Sequence, residues 1–121
     1  MPKILVVDDS LFARLNICDM LRGAGYDTIQ AENGRIALQK VLEEKPDCTV
    51  SDLLMPEMDG IAFLSALRGL DIPMPVIVLS ADIQETKRAQ CTALGASGFI
   101  SKPPQKNQIL ALVEQILKKE P

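Results

Sequence analysis

Lys3-Ile4-Leu5-Val6-Val7-Asp8-Asp9-Ser10 is the stretch that decides the fold. Its apolar run does not alternate, is rich in β-branched residues, and stops at two acids. A run this short and continuous reads as a strand buried on both faces. Strands covered on both faces belong to parallel sheets flanked by helices.

Three further short strands end on a polar or charged residue in the same way. Asp47 to Ser51 stops at Asp52, Val76 to Leu79 stops at Ser80, and Gly98 to Ser101 stops at Lys102. Tyr26 to Ala31 alternates instead, as an edge strand does. Amphipathic stretches fill the gaps. About residues 10–24 place Leu11, Leu15, Cys18 and Leu21 at helical spacing, with Gly25 as the stop. Asn33-Gly34 opens a second helix with Ala37, Leu38, Val41 and Leu42 inward, and Pro46 closes it. Residues 60–69 carry Ile61, Leu64 and Leu67 on one face. Residues 82–94 hold few apolar side chains, so that helix is expected to pack lightly, with Gly95 as its C-terminal cap. The last helix, about residues 105–118, turns Ile109, Leu112, Val113 and Ile116 to the core.

Five β–α units in strict alternation predict an α/β fold, a doubly wound parallel five-stranded sheet with helices on both faces. The flavodoxin-like order 2-1-3-4-5 fits, with ligands at the carboxyl ends of the strands near the switch point. At 121 residues the chain is one domain's worth, here taken as residues 1–121.

Composition narrows the function. The chain is 47% hydrophobic and 24% charged, the balance of a soluble globular domain. No apolar run approaches the roughly eighteen residues of a membrane span, and the N-terminus lacks a signal-peptide pattern. A cytoplasmic location is the expectation. The absence of His excludes Ser-His-Asp and Cys-His catalysis, His-ligated zinc and a phosphohistidine carrier. Cys18, Cys48 and Cys91 match no metal or redox spacing and read as small buried hydrophobes. A net charge of −3, with basic residues scattered, argues against binding nucleic acid or an anionic membrane.

In a parallel sheet of that order, Asp8, Asp9, Asp52, Ser80 and Lys102 converge at one edge. Singly, each has a plainer reading. An Asp after a strand is commonly a helix N-cap, and Asp9 alone reads that way. A Ser there is a cap or turn residue, and a Lys before Pro is a solvated side chain. Together they are hard to ascribe to chance. Adjacent carboxylates raise one another's pKa, and a bound cation relieves that. Carboxylates without His or Cys suit Mg²⁺ or Mn²⁺. A hard cation beside an ammonium and a hydroxyl suits phosphoryl handling. With no phosphate-binding glycine loop, a nucleotide is not the obvious ligand; a carboxylate, a competent nucleophile toward phosphorus, would be the phosphoryl acceptor.

Val6-Val7-Asp8-Asp9-Ser10, Ser51-Asp52-Leu53-Leu54-Met55-Pro56-Glu57-Met58-Asp59-Gly60, Leu79-Ser80-Ala81 and Phe99-Ile100-Ser101-Lys102-Pro103 resemble, in order and over the whole chain, the motifs of the response-regulator receiver family of two-component signalling systems. The resemblance implies that Asp52 is phosphorylated by a sensor histidine kinase or a phosphotransfer domain. It implies that Asp9 and Asp52 ligate Mg²⁺ directly, that Leu54 offers its carbonyl, and that Asp8 acts mainly through water. Lys102 pairs with the phosphoryl oxygens, Ser80 moves toward them, Ala81 leaves them room, and Phe99 is the aromatic switch. Lys102-Pro103 corresponds to the family's cis peptide. Signalling then runs through the fourth helix, fifth strand and fifth helix to a downstream target, as in chemotaxis-type members, from a monomer or a phosphorylation-dependent dimer. Gly60 is read as permitting a tight loop, and Met55 and Met58 as packing residues.

Three departures stand out. Phe99 lacks a tyrosyl hydroxyl, Ser80 stands for the equally common Thr, and Pro104 follows Pro103. By the resemblance, Leu54 and Asp82 occupy the family positions that flank the path of a hydrolytic water; Leu54 is apolar and Asp82 shorter than a Glu, so slow self-dephosphorylation is expected. The competing readings are weaker. An Asp-nucleophile phosphohydrolase needs a second Asp two residues on, whereas position 10 is Ser and position 11 is Leu. A flavin or nucleotide carrier needs a Ser/Thr/Gly-rich phosphate loop after the first strand, where Asp8 and Asp9 would repel phosphate. A scaffold-only receiver would not need the complete acidic set. A larger regulator carrying this domain as its head stays open.

Overall fold

The computed structural model describes residues 2–55, 57–81 and 84–118. Its elements are β1 (Lys3–Val7), α1 (Leu11–Gly23), β2 (Asp27–Ala31), α2 (Gly34–Glu44), β3 (Cys48–Asp52), α3 (Gly60–Gly69), β4 (Val76–Ser80), α4 (Glu85–Ala93), β5 (Gly98–Ser101) and α5 (Lys106–Lys118). The strands form one sheet of order β2-β1-β3-β4-β5, and every pairing is parallel. This is the flavodoxin-like order expected from the alternation. No helix among the described residues is long and apolar enough to cross a membrane.

Strand alternation divides the core in two. Leu5, Val7, Val76 and Val78 face α2, α3 and α4, whose Ala37, Val41, Phe63, Leu64, Leu67 and Cys91 complete that layer. Ile4, Val6, Val50, Ile77 and Leu79 face the other way, onto Ile17, Cys18 and Leu21 of α1 and Ile109 and Val113 of α5. β1, β3 and β4 are therefore buried on both faces; β1 and β4 show it as continuous apolar runs, while β3 buries Thr49 and Ser51 as well. All three cysteines are buried, and burial pushes the thiols of Cys18 and Cys91 up.

The inward faces differ from the predicted ones at several places. Leu11 and Leu15 lie outside the core, at 58% and 41% exposure, and Leu42 is exposed too, whereas Ile17 and Phe63 are buried. On α1 the cause is Arg14. Its guanidinium donates to the Asp8 carbonyl at 2.7 Å and to Gln30 Oε1 at 2.9 Å. A polar side chain thus takes the inward face of the first turns, and the helix rotates Leu11 and Leu15 away. α4 spans Glu85–Ala93, shorter than the predicted 82–94, and residues 82 and 83 lie outside the described set. As its composition predicted, it packs lightly, with Cys91 as its buried residue. Gly95 follows its C-cap at φ 82°, a left-handed conformation that glycine adopts without strain.

Ile17 and Leu15 give a contrast that tests this orientation of α1. Ile17→Ala is expected to destabilise by about 2–5 kcal/mol, the usual range for emptying a packed aliphatic site. Leu15→Ala is expected to change stability by no more than about 0.5 kcal/mol. Urea denaturation of the two variants checks both.

Candidate phosphoacceptor site

The parallel register brings the strand ends level. Val7 pairs with Ser51, Asp52 with Leu79, and Ser80 with Ser101. Asp8 follows the end of β1, Asp52 closes β3, Ser80 closes β4, and Lys102 follows β5. The ladder continues past the strands: Leu53 N–H donates to the Leu79 carbonyl at 3.0 Å, and Lys102 N–H to the Ser80 carbonyl at 2.9 Å.

Lys102 organises the edge. Its ammonium lies 3.0 Å from Asp8 Oδ2 and 3.2 Å from Asp52 Oδ2. Asp8, Asp52 and Ser80 are buried. Asp9 is exposed at the rim. The other oxygen of Asp8 accepts from the Ser10 N–H at 2.9 Å. Ser10 also caps α1, its Oγ accepting from Ala13 N–H, so the N-cap role open to Asp9 is taken by its neighbour. The ligand atoms of Asp8, Asp9 and Asp52 all lie within 4.8 Å of one another. Three carboxylates and one ammonium leave a site with two formal negative charges in excess. All the donors are hard oxygens, and one carboxylate faces solvent, so the set fits Mg²⁺ or Mn²⁺. Leu54 sits two residues past Asp52 with its side chain 60% exposed.

Electrostatics follow the burial. Desolvation raises the Asp52 pKa, and the Asp8 charge adds to the rise; Lys102 opposes it without cancelling it. For Lys102, burial works against the ammonium, but the two carboxylates outweigh it, and its pKa rises.

The remaining predicted residues lie around this edge. Ala81 is exposed beyond Ser80. Phe99 is half-buried on β5, its ring 4.8 Å below the Arg88 guanidinium of α4. The Lys102–Pro103 bond is cis. Asp82, expected beside the water path, lies outside the described residues. Met55 and Met58 pack against the core, as read from the sequence.

Several supports were not visible in the sequence. Gly60 is needed for close approach: a Cβ there would lie 2.5 Å from the Asp52 carbonyl oxygen. Its N–H donates to the Leu53 carbonyl at 2.9 Å, tying α3 behind Asp52. The loop before α3 is also fastened to α2. Gly34 N–H donates to the Met58 carbonyl at 2.9 Å, and Asn33 Nδ2 to Glu57 Oε2 at 3.0 Å. Asn33-Gly34 signalled a helix start; nothing in the chain marked its partner 24 residues away.

A buried carboxylate pair, a bridging ammonium and a third acid on the edge of a 2-1-3-4-5 sheet define a receiver domain. The chain belongs to that family: a model of the response regulator receiver domain matches residues 4–114. Among its relatives is the chemotaxis protein CheY of Bacillus subtilis, 37% identical over 116 residues, which covers 95% of this chain and 97% of that protein. The alkaline phosphatase synthesis transcriptional regulatory protein PhoP of the same organism is 36% identical over 117 residues, 97% of this chain but 49% of PhoP. In structure the chain resembles the chemotaxis protein CheY4 of Vibrio cholerae, with a TM-score of 0.90 and 32% identity, covering 96% of this chain and 98% of that one. It is thus a CheY-like receiver domain of a two-component response regulator.

The raised pKa of Asp52 has a thermodynamic consequence. Folding favours its protonated form, so its contribution to stability is present below the ordinary carboxylate range and is lost as pH rises through the raised value. In metal-free buffer at pH 7, Asp52→Asn is expected to denature at a higher urea concentration than wild type. It should also show a flatter loss of stability as pH rises through the carboxylate range. Paired denaturation series across pH check this.

Proposed function

We propose that the whole chain, residues 1–121, acts as one receiver domain whose Asp52 accepts a phosphoryl group from the phosphohistidine of a sensor histidine kinase or a phosphotransfer domain. The observation that carries this reading is the Lys102 ammonium held between Asp8 and Asp52 at 3.0 and 3.2 Å. An Asp52 oxygen forms the new O–P bond as the P–N bond to the donor imidazole breaks, and the imidazole nitrogen keeps the electron pair. The ammonium faces the equatorial oxygens, where charge spreads in flight. Asp9 and Asp52, the Leu54 carbonyl and, through water, Asp8 would hold Mg²⁺, or Mn²⁺ in its place. The ion supplies positive charge to the same oxygens. The chain is a regulatory acceptor rather than a turnover enzyme.

Once phosphorylated, Asp52 gains a negative charge and acceptor oxygens. Ser80, on the neighbouring strand end, donates to them, and the small Ala81 leaves room. The space vacated by Ser80 admits the Phe99 ring. That shift changes the surface of α4, β5 and α5, where a downstream target binds. The domain works in the cytoplasm, without binding nucleic acid or membrane, as a monomer or a phosphorylation-dependent dimer.

The donor protein has a surface to meet beside the site. Phe12 is 85% exposed, with Leu11 and Leu15 alongside. Phe12, Ala81, Lys102, Pro103 and Pro104 line a hollow of 360 Å³. An apolar patch bordering the acceptor suits a helical phosphodonor domain.

Three variants test this reading. Acetyl phosphate with Mg²⁺ is expected to add one phosphoryl group to wild type and none to Asp52→Asn, by intact-protein mass spectrometry; equal labelling of both would remove Asp52 as the acceptor. Leu54→Asn is expected to shorten the life of the label. Phe12→Ser is expected to slow transfer from a phosphorylated donor domain several-fold, matching the loss of an exposed aromatic anchor of about 1 kcal/mol or more. Its labelling by acetyl phosphate should be unchanged.

A further inference from the structure

α4 is the least anchored helix of the fold. It buries Cys91, and its N-cap residue Gln84 makes no side-chain cap bond. Its C-terminal end is pinned from α3: Arg68 Nε donates to the Leu94 carbonyl at 2.7 Å, and Arg68 Nη2 to the Gly95 carbonyl at 3.2 Å. One turn before Cys91, Arg88 places its guanidinium 4.8 Å from the centroid of the Phe99 ring. Among the described residues, no carboxylate forms a salt bridge with Arg88. Phe99 is opposite Val78 in the ladder, and Val78 faces the α3–α4 layer. By the two-residue period of a strand, Ser80 and Phe99 share that face. The ring therefore has two places to go. It can stay under Arg88, half exposed, or it can turn along its face toward Ser80.

We propose that Arg88 is a positioning residue, a cation–π latch that holds Phe99 in the unphosphorylated arrangement and so sets how readily the domain switches. This rests on the reading of Phe99 as the switch and Asp52 as the acceptor. A ring that turns inward leaves the guanidinium, so the contact stabilises one state only. A contact made in one state shifts the balance between the two by its whole strength. An exposed cation–π pair corresponds to roughly a two- to five-fold bias. Linkage then makes the latch oppose any ligand that prefers the inward ring, by the same factor.

The sign separates this from general electrostatics. Removing a positive charge near an anionic site weakens anion binding; removing the latch tightens it. The experiment is a titration with beryllium fluoride and Mg²⁺, a tetrahedral anionic stand-in for the phosphoryl group, followed by amide NMR of residues 84–101. Arg88→Gln is expected to bind it roughly two- to five-fold more tightly than wild type, and Arg88→Lys, which keeps a cation, to return most of the way. In a Phe99→Leu background, Arg88→Gln is expected to produce no such gain. An affinity of Arg88→Gln equal to or below that of wild type overturns the latch, as does an equal gain in the Phe99→Leu background. Binding by Asp52→Asn equal to that of wild type instead overturns the acceptor reading on which the latch rests.

Discussion

The Lys102 ammonium between Asp8 and Asp52 is the interaction on which the rest of the site depends. Two carboxylates buried at the ends of adjacent strands repel each other and are poorly hydrated. Lys102 reaches both, at 3.0 and 3.2 Å, yet burial still holds the Asp52 pKa above its ordinary value. With Asp9 nearby, the edge carries more negative charge than one ammonium balances. That surplus is what makes it receptive to a hard divalent cation. It also leaves the fold carrying an electrostatic strain that a purely structural edge would not keep.

Holding such a site demands rigid supports, and the backbone supplies most of them. Asp8 is fixed by the Ser10 N–H, while Arg14 grips its carbonyl from α1. Behind Asp52, the absence of a side chain at Gly60 lets α3 pass within contact of that residue's own carbonyl. The loop between them is tied to α2 through Asn33, Gly34 and Glu57. Arg14 pairs this support with a second effect, because the face it occupies turns Leu11, Phe12 and Leu15 outward. The same rotation that brings Arg14 to the Asp8 carbonyl therefore turns the apolar patch outward beside the site.

The opposite side of the site is built loosely. α4 has one buried side chain, a pinned C-terminal end and a guanidinium resting on Phe99. An element held by so few contacts can be shifted by a modest change in free energy. The stiff acidic edge and the lightly attached helix meet at β4 and β5, where Ser80 and Phe99 share a face. A change in charge at one can thus be felt as a change in packing at the other.

The sequence by itself determined the fold class, the strand order and the set of convergent residues. In β1 and β4 burial on both faces shows as an apolar run that stops at Asp8 and Ser80, and the partly polar β3 and β5 stop at Asp52 and Lys102. Asp8, Asp52, Ser80 and Lys102 were legible for that reason. The sequence did not determine the rotation of each helix about its axis. Leu11, Leu15 and Leu42 fit a helical stripe as well as Ile17 and Phe63 do, and only contact with the sheet selects among stripes one residue apart. Nor could it reveal which of Asp9 and Ser10 caps α1, that Gly60 touches the Asp52 carbonyl, or that Arg88 covers Phe99. Those depend on the distance between groups from different elements, and periodicity along one element carries no information about that distance.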